Sequence, residues 1–324
     1  MADLTLSRPG VVNAADPAGA SYTYEERTAL FKDVFAGEVL TAYEKACVFK
    51  ELQLERTISN GKSASFPATW RLSARYHTPG TPILGSNKLE IKERIIKIDD
   101  LLIADAAIGD LEDAMSHYDV RQIHSTELGR AMAQAYDKRV AQVIVNAARA
   151  SGNTASSPGG SRLTNASAKT DGEVLASMIF NANQVLDEKD APEDRFCAVK
   201  PAQFYLMVET TKLLNRDWGG AGSFSDAALP KVAGTRIVKT NNLPTTNIAT
   251  SVAGENNDYT GDFTTTAGVV ATKQAAGTVK LLDLKMDMSG NDFNVMYSAT
   301  LMKASQAVGH GILRPECAVE LATA

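Results

Sequence analysis

Apolar positions along the first hundred residues change period twice. Leu30, Phe31, Val34 and Phe35 recur at helical spacing, and Thr23 ahead of Glu25 and Glu26 provides the N-cap and acidic first turn of a helix start. Gly37 interrupts this stripe, which resumes at Val39, Leu40 and Tyr43. Residues 1–22, small, polar and broken by Pro9, Gly10, Pro17 and Gly19, read as an extended or mobile arm. From Glu51 the period drops to two, with Leu52, Leu54 and Ile58 leading to an Asn60-Gly61 turn, the pattern of a strand entering a hairpin. A long excursion through Pro67, Pro79, Gly80, Pro82 and Gly85 returns through Leu89, Ile91, Ile95, Ile96 and Ile98 as a second strand. A two-stranded ribbon of this kind has little core of its own and is marginal alone in water.

From Val120 to Ala147 the apolar residues, among them Leu128, Met132, Tyr136, Val140 and Ile144, follow one helical face. Arg149 suits the last turn, and Gly152 is placed to end the helix as a C′ glycine. Thirteen of residues 151–170 are Ser, Thr, Asn or Gly, which reads as a linker at a domain boundary. Beyond it the pattern predicts a helix through Val174–Leu186, a strand at Phe196–Val199 and a helix opened by Pro201 and ending near Asn215. Strands at Thr235–Lys239 and Ala267–Thr272 complete a compact α/β unit. Between them, sixteen of residues 241–268 are Asn, Thr, Ser or Gly, and this stretch is expected to be exposed, mobile and tolerant of insertion near Gly254. The tail alternates through Val279, Leu281, Val295, Tyr297, Ala299 and Leu301 and closes with Ile312–Leu321, returning strands to the chain end.

Composition narrows the class. The chain has 324 residues, enough for about two domains, and its 44% hydrophobic and 22% charged residues are those of a folded soluble protein. No run approaches the roughly 18 apolar residues of a spanning helix, and the start lacks the layout of a secretory signal, so the chain reads as made and kept in a cytoplasm. Cys47, Cys197 and Cys317 lie far apart, which points to three buried thiols rather than to disulfides or a zinc site.

The net charge of −5 argues against a protein built to grip nucleic-acid phosphates, but its distribution is polarised. Arg56, Lys62, Arg71, Arg75, Lys88, Lys92, Arg94 and Lys97 stand against Glu90 and Glu93 alone, a net of +6 over residues 56–97. Residues 98–120 follow with seven acids, Asp99, Asp100, Asp105, Asp110, Glu112, Asp113 and Asp119, and no Lys or Arg. In a monomer such blocks are ordinarily solvated faces.

Catalytic signatures are absent. Asn60-Gly61-Lys62-Ser63 resembles the end of a phosphate loop, but Arg56 stands where the motif needs glycine. His77, His117, His124 and His310 form no H-E-x-x-H, and no serine occupies a nucleophile elbow. The acids between Asp99 and Asp119 do not have the spacing of a calcium loop, and the sequon at Asn165 has no sign of secretion beside it. No catalytic residue, cofactor or metal ligand is assigned.

Several stretches together resemble the major capsid proteins of T7-like tailed bacteriophages. They are Phe35-Ala-Gly-Glu-Val-Leu-Thr-Ala42, Arg56-Thr-Ile-Ser-Asn-Gly-Lys-Ser-Ala-Ser-Phe-Pro67, Ile98-Asp-Asp-Leu-Leu-Ile-Ala-Asp105 and Asp110-Leu-Glu-Asp-Ala-Met-Ser-His-Tyr-Asp-Val-Arg121. Gly277-Thr-Val-Lys-Leu-Leu-Asp283 and Gly309-His-Gly-Ile-Leu-Arg-Pro-Glu316 complete the set. The likeness covers the first 150 residues and the last 50 well, and residues 150–276 poorly.

The resemblance implies an α+β chain of the HK97-type capsid fold. Residues 1–55 would be the N-terminal arm, 56–97 an extended β-hairpin loop, 98–165 with 277–324 a peripheral domain carrying the long spine helix, and 166–276 an axial α/β domain. It implies a non-enzymatic shell protein that builds the hexamers and pentamers of an icosahedral head, commonly T=7, around double-stranded DNA. Its expected partners are itself, a scaffolding protein and portal during assembly, and packaged DNA by weak non-specific contact, with no membrane. It would be assembled in the host bacterial cytoplasm and reside in the virion. A nanocompartment shell of encapsulin type and a soluble α/β enzyme are the alternative readings. On the shell reading, the basic loop residues Arg56, Lys62, Arg71, Arg75, Lys88, Lys92, Arg94 and Lys97 lie over acids of an adjacent subunit, with Asp99, Asp100, Asp110, Glu112 and Asp113 as candidates.

Overall fold

The computed structural model describes residues 24–85, 89–115, 120–210 and 231–324. The arm expected over residues 1–22 and the Thr23 cap lie outside these; the helix opened by Pro201 ends at Glu209, with Thr210 extended as its C-cap, short of the expected end near Asn215. Along the chain run α1 (Tyr24–Ala46), β1 (Leu54–Thr57), β2 (Ser63–Thr69), β3 (Ile91–Lys97), β4 (Leu102–Gly109), α2 (Asp110–Met115) and α3 (Val120–Arg149). They are followed by β5 (Ser161–Thr164), α4 (Gly172–Glu188), β6 (Arg195–Val199), α5 (Pro201–Glu209), β7 (Lys231–Val232) and β8 (Thr235–Lys239). Short β9 (Asn247–Ile248) and β10 (Gly261–Asp262) precede β11 (Thr266–Thr272), β12 (Ala276–Met288), α6 (Asn291–Tyr297), β13 (Ala299–Ile312) and β14 (Ala318–Ala322). Contacts divide the chain into two units, one ending first at Cys47 and continuing through Leu101–Tyr136 and Leu282–Ala307, the other holding Val48–Asp100, Asp137–Leu281 and Val308–Ala324. The cut passes through α3, β12 and β13, and otherwise falls between elements.

In the first unit, Phe35, Val39 and Tyr43 of α1 meet Leu128, Met132 and Ala133 of α3, with Ile108 of β4 and Met302 and Ala304 of β13. The helices approach so closely that a Cβ on Gly129 would lie 2.5 Å from the Val39 carbonyl oxygen. α1 runs through Gly37 unbroken, because one interior glycine costs only about 0.5–1 kcal/mol and the apolar face on either side outweighs it. β4 pairs antiparallel with β13 from Gly109 opposite Ala299 to Leu102 opposite Gln306. Val295 and Tyr297 sit on α6, not on a strand: two alternating positions are too few to separate the periods, and Ser298 in the left-handed region (φ 49°) ends the helix.

The second unit is organised by a six-stranded sheet in the order β5-β14-β11-β6-β8-β7. β11 is buried along its whole length, which explains its continuous Ala-Gly-Val-Val-Ala run. α4, capped by Asp171 accepting from the Glu173 and Val174 amides, packs on this sheet with α5, and Gly172 permits a close approach in which a Cβ would sit 2.1 Å from Leu206 O. The expected linker contains β5, which adds to the sheet in parallel beside β14. Gly152 is not a left-handed cap; a Cβ there would lie 2.0 Å from Ser157 O, so tight packing of the loop is what requires it. Cys197 and Cys317 are buried, burial pushing the Cys197 thiol up to about 12, while Cys47 is half-buried.

Candidate assembly surface

The basic segment forms the ribbon predicted from its period, with a different entry. β1 does not feed a hairpin; it pairs in parallel with β12, Leu54 opposite Gly277 through Thr57 opposite Lys280. Gly61, at φ +113°, then turns the chain into β2. The hairpin pairs β2 with β3, from Ser63 opposite Lys97 to Thr69 opposite Ile91. Its apolar anchor lies on one face at its base. Ala64 and Ile96, directly opposite each other, pack on Val279 and Leu313. Ile91 and Ile95 point to the other face and are exposed, and beyond β2 residues 70–85 carry no strand or helix and expose Leu72, Tyr76, Ile83 and Leu84.

Within this ribbon Lys62, Arg75, Lys92 and Lys97 are exposed. Arg71 forms an exposed ion pair with Asp190 beside Trp70, and Arg94 Nε donates to Asn153 Oδ1 at 2.6 Å. Arg56 donates to the Ser65 carbonyl at 2.9 Å and lies over the Phe66 ring. Lys88 falls outside the described residues.

The acids are divided between the two units. Asp100 is exposed in the second unit, its amide donating to Gly254 O at 2.9 Å. Asp110 opens α2 in the first unit, where its carboxylate accepts from Asn294 Nδ2 at 2.6 Å and its amide donates to Ser298 O at 3.0 Å. Those bonds join the start of α2 to α6, and there Leu111, Met115, Val295, Met296 and Tyr297 are all more than 60% exposed, a concentration of apolar surface beside Asp110 and Asp292. Glu112 and Asp113 lie on α2, and their side chains are outside the described residues.

Asp99 has a different role from the one its sequence position predicts. Its carboxylate faces the protein, accepting from the Tyr259 hydroxyl, from the Asn256 and Asn257 amides at 2.7 and 3.2 Å and from Asn257 Nδ2 at 3.0 Å. Burial raises its pKa against the lowering effect of these donors. The Tyr259 hydroxyl accepts from the His310 amide at 3.1 Å, and burial with the adjacent Asp99 charge holds it protonated far above the ordinary range. Arg139 lies over the Tyr259 ring and pairs with Glu255. The polar stretch 241–268 is therefore not free: Tyr259 and Phe263 are at 1% and 0% exposure, and Gly254 holds a backbone bond in a left-handed conformation, against the expected mobility and insertion tolerance. Polar composition is misleading here because Asn and Asp bond to backbone instead of water.

His310 closes the network. Thr278 donates to Gln53 Oε1 at 2.7 Å, so His310 Nδ1 donates to the Thr278 oxygen at 2.8 Å. Burial, helped by the Arg139 charge, lowers its pKa to about 3 from an ordinary 6.5. The unfolded chain takes up this proton first, so the stability due to neutral His310 is complete above about pH 6.5 and is lost as pH falls towards the folded value, by about 1.4 kcal/mol per pH unit at most. Asp99, with its pKa raised by burial, contributes with the opposite sign. Urea titration is expected to show about 1.4 kcal/mol less stability near pH 5.5 than near pH 7.5, and His310→Gln should flatten that difference. An identical pH dependence in both proteins would exclude His310 as the cause.

Two buried acids escape a reading by periodicity although each leaves a trace in the sequence. Asp137 shares the apolar face of α3 with Ala133, Val140 and Ile144, and it accepts from the Val48 and Phe49 amides at 2.9 and 3.1 Å and from Asn242. Glu320 interrupts the run from Cys317 to Ala322, and its fully buried carboxylate takes Arg149 and Arg162 together with the Thr266 hydroxyl. A lone acid in an apolar pattern is the signal in both cases. Among the described residues no set of three His, Cys, Asp or Glu side chains could hold a metal ion, and no helix is long and apolar enough to cross a membrane.

Residues 65–322 match the family model for Gp10A-like major capsid proteins. The chain is 30% identical over 319 residues to the major capsid protein of Escherichia phage T7, covering 90% of this chain and 91% of that one. Its fold superposes on the capsid structure of Cyanophage P-SCSP1u with a TM-score of 0.79 and 42% identity, covering 100% and 99% of the two chains. The mature capsid of bacteriophage PhiM1 follows with a TM-score of 0.67 over 99% and 92%, and at 19% identity it speaks for the fold alone.

Proposed function

Because the chain belongs to the Gp10A-like major capsid protein family, we propose that its basic ribbon is the element that joins one subunit to the next in the shell. The protein is a phage major capsid protein with the HK97 fold, a structural component of the virion that assembles into a multimeric shell. Phage capsid proteins as relatives disfavour the nanocompartment and enzyme readings. The finer reading is of hexamers and pentamers in an icosahedral, T=7 head around double-stranded DNA, built with scaffolding protein and portal in the host cytoplasm and acting by shape without catalysis. The net charge of −5 supports weak, non-specific contact with DNA. On this reading the arm spans 1–55, the extended loop 56–97, the peripheral domain 98–165 with 277–324, and the axial domain 166–276.

One observation carries the proposal: the ribbon extends past its anchor at Ala64 and Ile96 with exposed cations and exposed large apolar side chains. A second copy offers the complementary chemistry at the α2–α6 junction, where Asp110 and Asp292 stand beside Leu111, Met115, Val295 and Tyr297. Apolar burial supplies the adhesion, since a rim ion pair contributes only about 0.2–1 kcal/mol, and complementary charge speeds and orients encounter. Replacing Arg75, Lys88 and Lys92 together by Glu leaves Arg71 and Arg94 with their own-chain partners. Light scattering is expected to show shell formation slowed at least about tenfold at low salt, with the free subunit unchanged by circular dichroism. Assembly at the wild-type rate at both low and moderate salt would refute this reading.

A further inference from the structure

We infer that the segment Gly254–Tyr259 is a clamp that fixes the direction in which the ribbon leaves its own subunit, making Asn257, Asn256 and Asp99 positioning residues for shell assembly. The inference rests on the reading that the ribbon joins subunits.

The backbone from Lys97 to Asp100 is held on both sides. Asn257 treats Lys97 as a neighbouring strand would: its Oδ1 accepts from the Lys97 amide at 3.1 Å and its Nδ2 donates to the Lys97 carbonyl at 2.7 Å. Asn256 Nδ2 donates to Ile98 O at 2.8 Å, and Gly254 O accepts from Asp100 N at 2.9 Å. On other sides Ile98 N donates to Lys62 O at 2.8 Å and Asp99 N to Val308 O at 3.1 Å. The Asp99 carboxylate then returns the grip, accepting both Asn amides and the Tyr259 hydroxyl, so that the clamp and the strand end fix each other. This short loop, polar by composition, supplies four backbone bonds at the end of β3, where that strand leaves the core.

Leverage makes the grip consequential. β3 has seven residues, about 23 Å at roughly 3.3 Å per residue, so a tilt of about 10° at Lys97 carries its far end by about 4 Å. An interface packed to interior density does not survive a displacement of that size.

Asn257→Ala tests the inference. In the free subunit, amide exchange at Lys97–Asp100 is expected to rise at least about tenfold while β11 keeps its protection. At a temperature where the variant is fully folded, electron microscopy should show open or irregularly curved assemblies in place of closed shells, a change that a purely structural role would not produce. Unchanged exchange would overturn the clamp. Faster exchange with closed shells at the wild-type rate would overturn the positioning role. Should Asn257→Ala fail to fold, Tyr259→Phe removes one donor to Asp99 and is expected to move both readouts in the same direction to a smaller extent, with the same overturning results. The Arg75, Lys88 and Lys92 reversal should keep wild-type exchange at Lys97, so failure of the docking reading and failure of the clamp are separable.

Discussion

Gly309→Ala is expected to destabilise the second unit by more than about 3 kcal/mol, a large effect for the addition of one methyl group. A Cβ on Gly309 would stand 1.8 Å from the carbonyl oxygen of Lys97, a backbone atom that cannot rotate away. Retreat is blocked on both sides. Lys97 O is the acceptor for Asn257, and the neighbouring Val308 O is the acceptor for the Asp99 amide, so any shift that relieves the clash breaks these bonds. Gly37→Ala is the matched control. Among the described residues nothing beyond its own helical turn lies within 4 Å of its Cβ position, and the residue sits inside α1, so alanine there should stabilise the helix by about 0.5–1 kcal/mol. Urea midpoints of the two variants should move in opposite directions; a Gly309→Ala protein of wild-type stability would mean that the strand end is far more compliant than its hydrogen bonds indicate.

Glu320→Ala is expected to cost about 3 kcal/mol, the low end of what breaking a buried pair costs, because both cations retain some access to water. The carboxylate is at 0% exposure and binds Arg149 through Nε at 2.7 Å and Nη2 at 2.6 Å, while Arg162 approaches at 3.3 Å with its side chain 42% exposed. Its hydrogen bonds raise the Arg149 pKa above the ordinary value. Without Glu320, Arg149 keeps the Asp262 carbonyl and the Thr266 hydroxyl, and its remaining opposing charge is the exposed Asp262 carboxylate. The double change Glu320→Leu with Arg149→Met should recover much of the loss, since replacing a whole buried pair by apolar groups is often neutral. If Glu320→Ala alone is within about 0.5 kcal/mol of wild type, its ion pairs are not what ties β14 to the end of α3 and to β5.

Sustained periodicity makes elements legible in the sequence: α1, α3, α4, β3, β8 and β11 lie within a few residues of their predicted places. The ribbon is legible too, including its want of a core, because a period of two and a Pro-rich excursion are local facts. Local pattern also sets the chemistry of the candidate surface, placing cations on the ribbon and acids after it. Pairing is not local. Nothing near Leu54 indicates that β1 lies parallel to Gly277–Lys280, and a turn signal at Asn60-Gly61 favours the shorter hairpin. The polar loop defeats a local reading for a related reason: Asn256 and Asn257 are surface residues in any short window and become backbone clamps only when Lys97–Asp100 is brought against them. Asp99 passes from a candidate interface acid to the centre of that clamp by the same step. Periodicity records which face of an element is apolar, so local pattern was enough for most of the elements, for the cations of the ribbon and for the family resemblance. Which buried polar groups find partners depends on contacts between distant segments, because desolvating Asp99, Asp137, Glu320 or His310 is tolerable only where distant residues complete their hydrogen bonds.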